Sequence, residues 1–318
     1  MRYKMLFETK KSWQAIVLII IVAASVFPAC EKNLELELQE GGGKLVLFSF
    51  LSPDSAFNVH LSKSVSHYSV DDFERVYDGY ITVQKNGQFV DGFAFPIDQS
   101  WAVRPHLNLV PGDTVVIEGA DNNEGNVSGQ TVVPHPVKFS LVSTDSSGVQ
   151  NSVNGNNGVF ENTFLISDPA GENNYYQFIV FEDICTISGG DTICERSQIN
   201  YPKTDPVFYV RNHEGSLLRG FDFGGCFSDH LFDGEDYELK VNLPAQYFDA
   251  PKKIGTTRKL LFVLITHTRG YYDYYRSRVV AEYGYDIPLV DPIRIYNNVD
   301  GGLGLVSAYS ASVDSLIF

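Results

Sequence analysis

The sequence predicts a mainly β protein, and three observations carry that reading. Aromatic residues make up 13 per cent of the chain, with 18 Tyr and 22 Phe among scattered glycines, a composition that suits the half-buried surface of a pleated sheet. Short strand-like runs recur from Lys44 onward, separated by turn residues. One segment alone, Arg269 to Gly284, breaks that pattern with a helical period.

The elements follow in chain order. Arg2, Lys4, Lys10 and Lys11 precede an apolar run, Ala15 to Val26, read as AIVLIIIVAASV. A membrane span takes about 20 apolar residues; a basic head, a shorter apolar body and a small residue before a cut site make a secretory signal. The expected cut falls between Ala29 and Cys30, so residues 1–29 form a lipoprotein signal peptide and Cys30 is the lipidation site. Phe27 and Pro28 depart from the usual lipobox, and an ordinary signal peptide with an incidental cysteine is the competing reading. Residues 30–43 carry Glu31, Glu35, Glu37 and Glu40 and end in Gly41-Gly42-Gly43. They read as an acidic, flexible tether between lipid and folded body.

Residues 44–137 read as an immunoglobulin-like β-sandwich. Strand candidates are Lys44–Leu51, Phe57–Lys63, Gly79–Phe95 with an Asn86-Gly87 hairpin signal, Leu107–Ala120 with its Pro-Gly-Asp turn, and Val127–Pro134. About seven strands at this spacing imply a sandwich. Val133–Val137 holds two prolines and suits a stiff connector. Residues 138–318 read as a second β-rich domain, with strands expected in VFENTFLISD, NYYQFIVFED, DPVFYVRN, YELKVNLP and KLLFVLITH. Thr268 is placed to cap, and Gly284 to end, one short helix in which Tyr271, Tyr275 and Val279 share a face.

Cys185 and Cys194 bracket TISGGDTI, hairpin geometry around a Gly-Gly turn. In an exported chain a disulfide between them is expected; two reduced thiols are the alternative. No CxxC pair and no histidine at ligand spacing accompanies them, so no metal site is expected. His230 stands beside Asp229 and near Asp233, an arrangement common on surfaces. DNNEGN, Asp121 to Asn126, lacks the ligand order of an EF-hand and reads as a turn.

Charge excludes one class of partner. The formal charge is −15; the leader holds four basic residues and Glu8, so the remainder carries 20 basic and 38 acidic residues, net −18. Nucleic-acid binding needs basic patches that release counterions. No GxSxG, HExxH, P-loop or GxGxxG-before-helix motif is present, so no catalytic residues are assigned, no cofactor is expected, and the chain is read as non-enzymatic.

Three stretches then stand in a telling order: FSDHLFDGEDYELKVNL (Phe227 to Leu243), the Tyr-rich helix, and DPIRIYNNVDGGLGLVSAYS (Asp291 to Ser310). With Cys30, the acids behind it, Lys44-Leu45-Val46, the PGDTVVIE turn and the Pro-rich junction, this set resembles the Bacteroidetes outer-membrane lipoproteins of the domain of unknown function (DUF4249) type. The resemblance spans nearly the whole mature chain; the cysteine-bracketed hairpin is no hallmark of it. It implies a surface-exposed outer-membrane lipoprotein with a TonB-dependent receptor as partner, and it carries over no catalytic residues. The function expected is that of an accessory or ligand-capture subunit in nutrient uptake. A structural or adhesive surface scaffold is the alternative, and a hydrolase with paired carboxylates the third reading. Partner or ligand contact is expected at Tyr271, Tyr272, Tyr274 and Tyr275, then at Gly301, Gly302 and Gly304. Tyr rings packed on the sheet, and a tight glycine loop before a last strand, are the competing readings of those residues.

Overall fold

Alternation of burial along one strand sets the architecture. Strand β1 (Leu45–Leu51) buries Leu45, Leu47, Ser49 and Leu51 on one face and turns Val46, Phe48 and Phe50 to the other. The computed structural model describes residues 42–318 apart from 67–68, 97–100, 122–124, 153–154, 189–190, 210–221, 249–255 and 285–293. The expected leader, Cys30 and nearly all of the tether lie outside the described residues. Among the described residues no helix is long and apolar enough to cross a membrane.

Strands β2 (Phe57–Lys63), β3 (Glu74–Arg75), β4 (Gly79–Lys85), β5 (Gln88–Ala94), β6 (Trp101–Arg104), β7 (Thr114–Asp121) and β8 (Gly125–Val132) fill the N-terminal half. The β4–β5 turn is the Asn86-Gly87 pair, with φ of 51° and 74°, the left-handed values that a type I′ hairpin requires. The second half holds β9 (Lys138–Ser152), β10 (Gly155–Ser167), β11 (Tyr175–Ser188), β12 (Asp191–Ile199), β13 (Cys226–Ser228), β14 (Asp236–Pro244) and β15 (Thr256–His267). Helix α1 (Arg269–Gly284), β16 (Val299–Asp300) and β17 (Leu303–Ile317) complete it. Cys185 and Cys194 are directly opposite each other on β11 and β12 and joined by a disulfide.

The expectation of a mainly β fold with one helix holds. One expected strand does not form: Pro206–Phe208, within DPVFYVRN, is a 3-10 turn. Pro206 has no N–H to give a ladder, and the Asp205 carboxylate organises the turn by accepting from Val207 N (3.1 Å), Tyr237 Oη (2.6 Å) and Lys240 N (2.9 Å).

One long sheet serves both halves. Its order is β12-β11-β15-β17-β1-β2-β3, with β13 on β11 and β6 on β2. A five-stranded sheet, β16-β8-β7-β4-β5, and a three-stranded sheet, β14-β10-β9, supply the other layers. The first core gathers Leu47, Leu61, Ile81, Val115 and Ile117, and the second Phe164, Tyr176, Phe178, Leu239 and Phe262. They part near residue 137, yet Val299, Val306 and Ala308 belong to the first core, and Gly41–Phe318 is one compact unit. The first sandwich therefore takes part of its core from the end of the chain.

Strand β17 is the shared member. It pairs antiparallel with β15 and parallel with β1, Leu47 standing beside Gly304. Its even positions read the layers in turn. Val306 and Ala308 enter the first core and Leu316 packs on the second. Between them Ser310 Oγ donates to Pro134 O (2.7 Å), Ser312 Oγ donates to Val137 O (2.5 Å), and Asp314 accepts from Leu141 N (2.7 Å). Serines replace aliphatics where the Pro-rich connector crosses the strand, because its carbonyls need donors there.

The parallel pair is close enough to dictate glycine. Gly304 has φ 128°, and a Cβ on it would stand 1.9 Å from the Leu47 carbonyl oxygen. Gly304→Ala is expected to lower unfolding free energy by about 3 kcal/mol or more, from backbone strain and displacement of β1. Gly87→Ala, also at positive φ but with nothing near its Cβ, should cost about 1 kcal/mol. Urea titration of the two variants beside wild type measures both; equal losses would show that the β1–β17 approach is not tight.

Candidate functional site

Helix α1 lies on the face of the long sheet that turns away from both cores. Thr268 Oγ1 receives Tyr271 N at 3.4 Å and shares a 2.7 Å hydrogen bond with Ser307 Oγ, which ties the helix start to β17. From there Tyr271 and Tyr274 meet the outward rings of β1 edge-on: Tyr271 over Phe50 and Tyr274 over Phe48, each with centroids 5.8 Å apart. Tyr272 is buried against Tyr175 (4.8 Å), and Tyr275 stacks on Tyr271 (5.9 Å). The structure thus gives all four tyrosines a packing role between helix and sheet, and brings one of them, Tyr271, to a cavity.

That cavity, of about 240 Å³, is lined by Phe50, Gln177, Ile265, His267, Tyr271 and Tyr309. Register explains the convergence. Gln177 stands opposite Ile265, and His267 stands opposite Tyr309, on the same sheet face. His267 is 7% exposed and stacked on Tyr271 with centroids 3.9 Å apart. The Gln177 amide donates to Gly224 O at 3.0 Å, which leaves its Oε1 as the acceptor for His267 Nε2–H at 3.0 Å. The imidazole is then the Nε2–H tautomer, and its buried Nδ1 lone pair has no hydrogen-bond partner among the described residues. Burial pushes the His267 pKa down to about 3. The ring is neutral at physiological pH, too weak a base to take a proton in catalysis but able to accept a hydrogen bond from a neutral donor. Because Nδ1 is itself buried, the hollow beside it offers a ligand an apolar lining and not a reachable acceptor.

The three glycines of the terminal element separate in space. Asn298 spans the loop, accepting from Val306 N (2.9 Å) and donating to Val306 O (2.8 Å). Gly302 and Gly304 press on the carbonyls of Leu45 and Leu47, so their role is the close approach of two strands. Gly301 is exposed and lines a groove of about 340 Å³ on the outer face of the five-stranded sheet.

Asp229 and Asp233, noted in the sequence beside His230, belong to a carboxylate cluster that Asp168 completes. Asp168, Asp229 and Asp233 place oxygens within 4.8 Å of one another. Each pins backbone: Asp168 accepts from Gly234 N (2.9 Å) and from the Tyr176 hydroxyl, Asp229 from Asn174 N (2.5 Å), and Asp233 from Gly171 N (3.3 Å). Burial first, then the neighbouring Asp168 and Asp233 charges, raise the Asp229 pKa to about 6. An oxygen-only set could hold a hard divalent cation, and these three residues would be its ligands. Asp229 and Asp233 lie within FSDHLFDGEDYELKVNL, but Asp168 comes from a distant turn and carried no local signal. Elsewhere His60 Nε2 and Ser62 Oγ are 2.8 Å apart, but the hydroxyl residue is 1% exposed, which leaves a substrate no approach.

A family model described as "Domain of unknown function (DUF4249)" matches residues 31–315. No curated protein matches the chain.

The His267 environment makes a pH prediction. Its folded pKa of about 3 lies below the ordinary 6.5, so the unfolded chain binds a proton that the folded chain refuses. The stability this provides is complete above pH 6.5 and is lost progressively as pH falls toward 3. In His267→Gln, unfolding free energy should fall by about 1.4 kcal/mol less per pH unit than in wild type between roughly pH 6 and 4. Denaturant titrations across that range read the slope; parallel curves would mean that His267 titrates normally.

Proposed function

The chain belongs to the DUF4249 family, and from that membership we propose that it is a surface-exposed outer-membrane lipoprotein acting as a non-enzymatic accessory or ligand-capture subunit of a TonB-dependent transporter. The observation that carries the reading is an alignment of two boundaries. The family match begins at residue 31, directly after the cysteine that ends the basic–apolar leader. The family module then coincides with the part left after cleavage at Cys30, and the lipid would be joined to it through the acidic, glycine-ended tether. Thirty-eight acids against 20 basic residues in that part make a basic membrane-binding patch an unsuitable means of attachment. The acids that follow Cys30 favour export to the outer surface.

The site chemistry agrees with capture rather than turnover. His267 is buried and neutral beside an apolar hollow, too weak a base for proton transfer. The Asp168–Asp229–Asp233 group holds loops through backbone N–H groups. A scaffold role is the second reading, and one feature favours it: β12 lies at the edge of the long sheet, with eight of its nine residues exposed. Sheet edges of this kind accept further strands.

Two measurements test the proposal. Cys30→Ser should move the protein from the membrane to the soluble fraction; unchanged partitioning would defeat lipid attachment. Mild-detergent purification of the native lipoprotein from its own outer membrane should recover a TonB-dependent receptor in near-equal amount. Recovery of the lipoprotein alone, with nutrient uptake unaffected by its deletion, would overturn the accessory role and leave the scaffold.

A further inference from the structure

We infer that the outer face of the five-stranded sheet is a binding site for neutral saccharides, with Tyr80 as its stacking platform. Two cross-strand rows build it. Tyr80 stands opposite Ala120, which stands opposite Asn126; Thr82 stands opposite Glu118, then Ser128, then Asp300. Directly paired residues share a sheet face, so these side chains converge from four strands onto one groove of about 340 Å³, with Gly301 at its margin. That volume lies at the lower end of the range of small-molecule sites.

The aromatic part is deliberate in its geometry. Tyr80 is 45% exposed and Phe89 68% exposed. A Cβ on Gly92 would stand 2.7 Å from the Tyr80 hydroxyl and 3.1 Å from Phe89 Cζ. Both rings therefore reach over a position on β5 kept bare for them, and Tyr80, leaning that way, forms the groove's wall on the β5 side. Ala120 keeps the adjoining floor low. An aromatic face exposed in this way attracts the C–H groups of a pyranose ring, since its electron-rich surface meets their positive edge.

The polar row supplies the rest. Thr82 Oγ1 already donates to Glu118 Oε2 at 3.1 Å, which orients that carboxylate. Glu118 and Asp300 accept hydrogen bonds, while Ser128 and Asn126 both donate and accept, the mixture that vicinal hydroxyls need. Among the described lining residues the only charged groups are these two acids. Anionic sugars are accordingly repelled, and neutral ones are selected.

The groove is separate from the His267 cavity and does not depend on the transporter partnership: a chain that binds sugar yet recovers no receptor keeps this site and loses that reading. The test uses the full lipoprotein, purified in a detergent without a sugar headgroup. Maltohexaose, xylohexaose and N-acetylchitohexaose are titrated by calorimetry, with oligogalacturonate as the anionic probe. At least one neutral probe should bind saturably and oligogalacturonate should not. Tyr80→Ala and Glu118→Gln should each weaken that binding about tenfold or more, with the thermal transition unchanged. Absence of saturable binding to all three neutral probes would overturn the inference, as would equal affinity of both variants and wild type or preference for the anionic probe.

Discussion

The contact on which the molecule depends is the parallel pairing of β1 with β17. It is the one parallel pairing in the described ladders, and it joins the first strand of the body to the last. Through it the long sheet is continuous, and one face of that sheet floors both cores. Gly302 and Gly304 set the distance, since their bare Cα atoms sit against the carbonyls of Leu45 and Leu47. The serines of β17 then fix the connector, so the two sandwiches share a rigid member rather than a hinge.

The opposite face of the same sheet follows from that pairing. With β17 beside β1, the outward rings of Phe48 and Phe50 lie where α1 can cover them. The His267 chamber occupies the place where β15, β17, β1 and the helix meet. There the Gln177–Gly224 hydrogen bond decides which nitrogen of His267 carries the proton. The saccharide groove sits on another sheet, yet Asp300 and Gly301 reach it from the same terminal segment that locks β17 to β1. One stretch near the C terminus thus serves the framework and a surface at once.

Local signals made much of the fold legible. Asn86-Gly87 named its hairpin, and Thr268 and Gly284 bounded the helix. What the sequence withheld was non-local. Nothing near Lys44 announces that Leu303–Ile317 will lie beside it, so a division at residue 137 looked like a boundary between independent halves although Val299, Val306 and Ala308 return to the first core. DPVFYVRN looked like a strand because its apolar residues outweighed one proline and the capping acid before it. For the sites the lesson is similar. The Tyr-rich helix drew attention by composition, but its rings pack on the sheet. Tyr80, Glu118 and Asp300 are unremarked singly and become a group only through strand register. Asp168 joins Asp229 and Asp233 through the packing of separate turns.

The position of β17 also governs the order of assembly. A central strand that arrives last leaves the N-terminal half without part of its core until nearly the whole chain is available, and contacts between chain ends are slow to form. Val299, Val306 and Ala308 must return before the first core is complete. A polypeptide with this topology ties its earliest strand to its latest, so the N-terminal core waits on residues more than 160 positions downstream.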